Sequence, residues 1–286
     1  MSWLNPPVCN RQQNGIALIM VLWLLVLMTV IASSHSRNIR TETRLASNHI
    51  ESAKARGLAE AGTYHAIMEM LVSDNTDRWP VNGSPHQVQF DYGEAIISIR
   101  DTRGLMDINK VTPAVLDKVL AGAGIEDDNQ RQALIDATLD WRDADNIKHL
   151  HGAEDDDYHN AGLKWAARDS AFTSIEEFRY ILGMTNPLFE KLVPYLTVHS
   201  DQANIKLDVA PSWLVDTLLG TRNAPTTDKT AISAGSSTYH ISVWAKTTAG
   251  TKASLDTVVH IAARGKEPYK ILSWRAPARS ISGNSG

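Results

Sequence analysis

The sequence predicts an α+β fold with a long N-terminal helix, an antiparallel sheet and a large helical insertion. Three patterns support this prediction. An apolar run near the N-terminus continues as an amphipathic helix, alternating segments lie on both sides of the middle of the chain, and helical patterns lie between them. With 286 residues, 43% of them hydrophobic, the chain is long enough to bury a substantial core.

Charge and cysteine content exclude several functional classes. The chain carries 28 Lys and Arg residues against 32 Asp and Glu residues, a formal net charge of −4. This balance disfavours a protein whose main role is to bind a phosphate backbone. The single cysteine, Cys9, excludes a disulfide scaffold and an all-cysteine metal cage.

The first predicted element is a helix that begins in an uncharged apolar run at residues 16–32. A helix of this length rises about 26 Å, which is the lower limit for crossing a bilayer. Beyond Ser36, small or apolar residues recur every three or four positions as far as Leu71, so the helix is expected to continue with one apolar face. The alternative is a secretory signal peptide cleaved near Ser33, although this run is longer than the usual core of about 7–15 residues.

Strand patterns follow the helix and return at the C-terminal end. Val88, Phe90 and Tyr92 alternate, a turn is expected at Gly93-Glu94, and 95–99 follow as the second strand of a hairpin. Near the C-terminus, three further strands are expected at 239–247, 252–264 and 268–275.

The region between the strands has the signals of several short helices. Thr112 and Pro113 are typical of a helix start, and this helix is expected to end at Gly122. Thr173 and Glu176 predict a capping box at a later helix. Further helices are expected at about 128–141, 174–183, 187–195 and 211–220.

Carboxylates are concentrated at the end of the helix predicted at 128–141 and in the following loop. Such crowding costs free energy through repulsion between like charges unless a cation collects the carboxylates. A flexible loop of oxygen ligands is what Ca²⁺ accepts. The acidic positions are Asp136, Asp140, Asp143, Asp145, Glu154, Asp155, Asp156 and Asp157.

The spacing is not that of an EF-hand. Asp143, Asp145 and Glu154 stand at its first, third and twelfth places, but Ile147 and Lys148 fill the fifth and sixth, where a ligand and a glycine are required.

Two alternatives to a calcium site stay open. The loop could be a solvated acidic surface without metal. His149, His151 and His159 also allow a zinc site, since imidazole and carboxylate suit that ion, although no His-Glu-x-x-His helix is present.

The N-terminal sequence resembles a type IV prepilin. Asn14-Gly15 is followed by the apolar run that starts at Ile16, and Met20 stands where most pilins carry Glu. With the motifs that follow, the chain resembles the K-type minor pseudopilins of type II secretion. These motifs are Asp101-x-x-Gly104-x-x-Asp107-Ile108-Asn109, Asp140-Trp141-x-Asp143-x-Asp145, Gly152-Ala153-Glu154-Asp155, 172–178 (FTSIEEF), Leu192-x-Pro194-Tyr195-Leu196-Thr197 and a C-terminal hairpin that ends at Trp274-Arg275.

The resemblance implies a domain plan. It consists of a prepilin leader at 1–15, the transmembrane part of a pilin-like helix at 16–35, its amphipathic part at 36–72, pseudopilin strands at 73–111, a SAM-like or helix–hairpin–helix-like insertion at 112–220, and C-terminal strands and tail at 221–286.

The resemblance also implies the functional residues. A prepilin peptidase would cut after Gly15 and methylate Ile16. Calcium would be held in the acidic loop, where Lys148, His149 and His151 depart from the family's usual sequence. The expected metal ligands are Asp140, Asp143, Asp145, Glu154 and Asp155.

The implied function is that of a non-enzymatic minor pseudopilin at the tip of the type II secretion pseudopilus, which supports export across the outer membrane. The expected partners are the I- and J-type minor pseudopilins, the major pseudopilin, the prepilin peptidase and the inner membrane. A Glu buried in hydrocarbon is costly unless it is paired. A subunit at the tip has no earlier neighbour whose terminal amine could pair with this Glu, so the uncharged Met20 is expected to cost less free energy there.

The resemblance places a single membrane pass in the bacterial inner membrane and the soluble domain in the periplasm. Charge alone indicates the opposite orientation, since Arg37, Arg40 and Arg44 follow the apolar run while Arg11 precedes it. The orientation is taken from the leader and helix pattern, which are more specific than a few arginines.

Two other classes remain as alternatives. One is a minor pilin of a type IV pilus. The other is a membrane-anchored helix–hairpin–helix protein that binds DNA, since 120–125 loosely resembles such a hairpin. Glu126, Asp127 and Asp128 follow directly and would repel phosphate, so no nucleic acid partner is expected. An enzyme is not expected, since the sequence has no nucleophile elbow and no phosphate-binding glycine loop.

Overall fold

The computed structural model describes residues 16–71, 79–220, 237–262 and 267–275, with backbone alone at 16, 32 and 34–41. Contacts divide the chain into two compact units, 1–53 and 54–286. None of the helices in the described ranges contains a stretch that is both long and apolar enough to cross a membrane. The predicted leader, with Gly15, lies outside the described residues.

The elements confirm the predicted α+β class. The helices are α1 (Ile16–Leu71), α2 (Pro113–Gly122), α3 (Asp128–Arg142), α4 (Asp155–Asn160), α5 (Asn186–Leu192) and α6 (Ser212–Leu219). The strands are β1 (Asn82–Phe90), β2 (Gly93–Asp101), β3 (Met106–Asp107), β4 (Leu196–Thr197), β5 (Thr238–Thr247), β6 (Lys252–Ile261) and β7 (Tyr269–Arg275).

Helix α1 is the long helix that the sequence predicts. In the first unit, its large apolar side chains between Leu18 and Ile31 are 49–74% exposed. In the second unit, its last turns bury Leu58 and Ile67 in a core shared with the sheet. A β-carbon on Gly62 would lie 2.8 Å from Cγ1 of Val243, so glycine here permits the close approach of helix and strand.

The main sheet is antiparallel, with the strand order β1-β2-β5-β6-β7. In β2, Ile97 and Ile99 are fully buried while Ile96 is 44% exposed, as expected for a sheet covered by a helix on one face. The hairpin turn lies at Asp91-Tyr92 and not at the predicted Gly93-Glu94, because Gly93 pairs with Phe90 and Glu94 pairs with Gln89.

The helical insertion leaves the sheet after β2 and returns at β5, although these two strands are neighbours. It contains α2 to α6 and a small parallel pair, β3 with β4. Its core is separate from that of the sheet. An aromatic cluster lies within it, where Trp141 packs against Tyr158 and Phe172, and Phe172 packs against Phe178.

The predicted helix at 174–183 is instead a 3₁₀ helix at Ile175–Tyr180. The predicted capping box does not form, because Thr173 bonds to Glu177 while Glu176 forms an ion pair with Arg275. The helix predicted at 187–195 ends at Leu192 and continues as a 3₁₀ turn, Val193–Tyr195.

Three of the motif residues near β3 hold the insertion together. Asp107 accepts hydrogen bonds from the backbone N–H groups of Ser200 at 3.0 Å and Asp201 at 2.8 Å. Asn109 exchanges two hydrogen bonds with the backbone of Phe172. A β-carbon on Gly104 would lie 2.6 Å from the carbonyl oxygen of Val209, so this motif glycine permits a close backbone contact.

Candidate metal site

The acidic residues meet where the end of α3, the following loop and the start of α4 come together. Asp140 lies in the last turn of α3, and Asp143 caps that helix by donating its N–H to the carbonyl of Leu139 at 3.1 Å. Glu154 directly precedes α4. Residues 144–153 connect the two helices. This loop brings the acidic residues of the two motifs to the same end of the helices.

Asp140 organises this loop. Its side chain is fully buried, and Oδ2 accepts a hydrogen bond from the N–H of Ala153 at 2.7 Å. Oδ1 accepts the N–H of His149 at 3.2 Å and also contacts Nδ1 of the His149 ring. A β-carbon at Gly152 would lie 1.8 Å from Oδ2, so the motif glycine makes room for the carboxylate.

Asp143 and Glu154 have buried oxygens that lack hydrogen bonds. Oδ1 of Asp143 and both oxygens of Glu154 have no hydrogen-bond partner within the described part of the chain. Glu154 is 5% exposed. Because an ionised carboxylate buried without a partner is costly, this arrangement indicates either a proton or a cation at these atoms.

The carboxylates perturb one another. Burial and the charges of Asp140 and Asp143 raise the pKa of Glu154 to about 7. Burial, with the charges of Asp145 and Asp140, also raises the pKa of Asp143. The hydrogen bond to Asp140 raises the pKa of His149. All three groups therefore bind protons more tightly than in the unfolded chain.

The other two predicted ligands lie at the edge of the site. Asp145 is exposed and accepts the N–H of Ile147 at 2.9 Å, while Asp155 is exposed in the first turn of α4. The charge of Asp145 helps to raise the pKa of Asp143, and the charge of Asp155 helps to raise the pKa of Glu154. The ligand set of five therefore stays a prediction: Asp140 and Asp143 lie within ligand distance of each other, Glu154 is buried, and Asp145 and Asp155 are exposed.

Two residues join the site without having been predicted as calcium ligands. Asp169 has a left-handed backbone, with φ of 53°, and its charge raises the pKa of both Asp143 and Glu154. Nothing local in the sequence marks it, because it follows α4 in a separate loop. His149 was predicted as part of a zinc alternative and as a departure from the family's usual loop, not as a calcium ligand.

The remaining acidic residues have other partners. Asp136 accepts the N–H of His151 at 3.0 Å. Asp157 accepts the N–H of Glu154 at 3.1 Å and pairs with Lys148 at 2.7 Å, which lowers the pKa of Asp157. These contacts shape the loop and the start of α4.

A cleft of about 360 Å³ opens beside the site and is lined by Asn109, Leu139, Arg142, Asp143, His149 and Ala171. The guanidinium of Arg142 donates to the carbonyls of Ile108 at 2.8 Å and Val111 at 3.1 Å. With buried, unbonded carboxylate oxygens on one side and solvent access on the other, the residues present fit a divalent cation.

Family models match two parts of the chain. The model described as type II secretion system protein K matches residues 100–201, which include the acidic loop. A second model, described as PilX N-terminal, matches residues 14–63.

Curated relatives extend the match beyond these regions. Type II secretion system protein K of Klebsiella pneumoniae is 27% identical over 212 residues, covering 68% of this chain and 65% of the relative. The corresponding protein of Pectobacterium carotovorum subsp. carotovorum is 26% identical over 212 residues, covering 65% of this chain and 63% of the relative. The chain thus spans less than two thirds of the length of these relatives.

The fold also matches a solved structure, that of the GspK-GspI-GspJ complex from the type 2 secretion system of enterotoxigenic Escherichia coli. The TM-score is 0.63 at 14% identity, and the match covers 83% of this chain and 100% of that chain. At this identity the match shows a shared fold. The family match at 100–201, the curated relatives and this fold all show that the chain is similar to type II secretion system protein K.

Proposed function

We propose that the chain is a non-catalytic minor pseudopilin that caps the tip of a type II secretion pseudopilus and thereby supports export across the outer membrane. The observation that carries this proposal is the insertion. It leaves and re-enters the sheet between two neighbouring strands, β2 and β5, and adds a helical body with its own core. Such bulk fits the end of a filament better than its interior.

The proposed anchor is the apolar start of α1, residues 16–35, in the bacterial inner membrane, with the domain that follows in the periplasm. The exposed apolar side chains between Leu18 and Ile31 support this assignment, because they require an apolar environment. Cleavage after Gly15 would make Ile16 the mature N-terminus.

The proposed cofactor is calcium. Asp140, Asp143 and Glu154 would hold it, with Asp145 and Asp155 at the rim. When bound, the ion would supply positive charge to carboxylates that otherwise repel one another. Asp140 already accepts hydrogen bonds from the loop, so a bound cation would tie the end of α3 to the start of α4.

The proposed partners are the I- and J-type minor pseudopilins, together with the major pseudopilin and the prepilin peptidase. The similarity to a chain solved in the GspK-GspI-GspJ complex supports the first two. The alternatives are a minor pilin of a type IV pilus and a helix–hairpin–helix protein that binds DNA.

The test is the position of the protein in assembled filaments. Antibodies against the insertion should label one end of each pseudopilus, whereas antibodies against the major pseudopilin, as a control, should label its whole length. Labelling of the insertion along the length would contradict tip capping. Deleting the gene should stop type II export, and loss of surface pili with intact export would favour the type IV alternative.

Retention on immobilised DNA tests the alternative of a DNA-binding role. Full-length protein in detergent should pass over immobilised DNA without retention. Salt-sensitive retention would support the helix–hairpin–helix alternative.

A further inference from the structure

Of the three histidines at positions 149, 151 and 159, His149 is the one whose ring lies among the acidic residues. In the described ranges, ligand atoms of Asp140, Asp143 and His149 all lie within 4.8 Å of one another. By contrast, His151 contributes its backbone N–H to Asp136, and His159 is exposed in α4. Of these three histidines, the fold therefore places only the His149 ring beside the carboxylates.

We propose that this cluster is a mixed nitrogen–oxygen site that takes a borderline divalent transition metal of the Zn²⁺ class through His149, Asp140 and Asp143. This inference rests on the proposal above that the acidic loop binds a cation, and it names a second class of ion for the same carboxylates. Calcium and the transition metal would therefore compete.

The chemistry of the donor set carries the argument. Ca²⁺ takes oxygen ligands, so an imidazole adds nothing to its binding. Zn²⁺ accepts imidazole nitrogen at about 2.0–2.1 Å and carboxylate oxygen at about 2.0–2.2 Å, usually with four ligands. His149 and two aspartates provide three such groups.

Glu154 is the candidate for the fourth ligand. The residue is 5% exposed, and neither carboxylate oxygen has a hydrogen-bond partner within the described part of the chain. The charges of Asp140 and Asp143 both raise the pKa of this carboxyl group. An unpartnered carboxylate of this kind points to a ligand independently of the histidine.

The surroundings also favour a transition metal. Oδ2 of Asp140 is held by the N–H of Ala153 at 2.7 Å, an outer contact of the kind that orients a metal-binding carboxylate. The backbone N–H of His149 is bonded to the same aspartate at 3.2 Å, so the chain keeps the ring within reach. The His149 side chain is 42% exposed and borders the cleft, which gives an ion access from solvent.

The experiment uses metal-free, full-length protein in detergent and Co²⁺ as a spectroscopic probe for Zn²⁺. One equivalent of Co²⁺ should produce visible d–d absorption, and one equivalent of Zn²⁺ should abolish it. His149→Asn should remove the absorption and weaken Zn²⁺ binding by about 10–100-fold or more, at least the loss seen when an outer-shell partner is removed. The affinity for Ca²⁺ should change by about twofold or less, because imidazole is not a calcium ligand.

His159→Asn is the matched control and should leave the Co²⁺ spectrum unchanged. A spectrum that survives His149→Asn would overturn the inference. Absent Co²⁺ absorption in a protein that Ca²⁺ still stabilises would also overturn it while leaving the calcium proposal intact. If neither ion binds, the inference and the calcium proposal both fail.

Discussion

Gly152 lies so close to Asp140 that a β-carbon at position 152 would stand 1.8 Å from Oδ2 of the carboxylate. Asp140 is fully buried and accepts the N–H of the next residue, Ala153. The pair explains why the motif around residue 152 combines glycine with acids. The loop can fold over the carboxylate only if no side chain intervenes.

The first prediction follows from this contact. Gly152→Ala should lower the free energy of unfolding by about 2–4 kcal/mol, because the carboxylate must move and give up buried hydrogen bonds. It should also weaken any response to metal. Urea denaturation measures the first effect. Gly57→Ala is the control, since that helix position has open space and alanine favours helices, so it should be neutral or slightly stabilising.

The second prediction concerns metal removal. EDTA should lower the melting temperature, and Ca²⁺ should restore it better than Mg²⁺, whose rigid octahedral preference suits this loop poorly. Binding to the native state at a hundredfold excess over Kd adds about 2.7 kcal/mol. Glu154→Gln should reduce the calcium response, while Asp156→Asn, as control, should change little. An identical melting curve with EDTA and with restored calcium would refute the calcium proposal.

The third prediction concerns the pH dependence of metal-free protein. Glu154 binds its proton more tightly when folded, with its pKa raised from 4.5 to about 7, so the free energy of unfolding should fall as pH rises from about 5 to about 7. Glu154 alone accounts for a decrease of about 3 kcal/mol at most. The raised pKa values of Asp143 and His149 act in the same direction.

Urea denaturation at several pH values, with EDTA present, measures this decrease. Excess calcium should reduce it, because the cation takes the place of the protons. Glu154→Gln should flatten it even without metal. A free energy of unfolding that rises with pH over this window would contradict the pKa assigned to Glu154.

The fourth prediction concerns Asn109. Its amide donates to the carbonyl of Phe172 at 3.0 Å and accepts the N–H of that residue at 2.7 Å. Asn109→Ala leaves both groups of a buried residue unpaired, so the free energy of unfolding should fall by about 2 kcal/mol or more. Asn160→Ala, at an exposed position in α4, is the control. Equal stability of the two variants would show that water replaces the amide of Asn109.

The fifth prediction concerns processing. Gly15→Val should leave the leader attached, because a β-branched side chain would obstruct the peptidase at the bond to be cut. Intact-mass measurement of the purified protein should then give a chain longer by residues 1–15. A mature N-terminus near Ser33 in the unaltered protein would instead support a secretory signal peptide.

Several elements could be predicted because their signals are local. The 3.6-residue period of α1, the alternation in β5 and β6, and Thr112-Pro113 before α2 depend on neighbours in the chain. The 3₁₀ helix at Ile175–Tyr180 was missed for the opposite reason. Glu176 was assigned to a cap, but its carboxylate pairs with Arg275 on β7, a contact between residues far apart in sequence.

For the candidate site too, some features could be predicted from the sequence and others depend on the tertiary structure. The sequence by itself predicted the α+β class, the resemblance to the K-type pseudopilins and the stretch in which carboxylates crowd together, because these depend on composition and on spacing along the chain. Only the tertiary structure decided which of those carboxylates are buried without partners, that His149 and not His151 or His159 reaches them, and that Asp169 adds its charge. These outcomes depend on how α3, the loop and α4 pack against the aromatic core, and burial and long-range charge are properties of that packing.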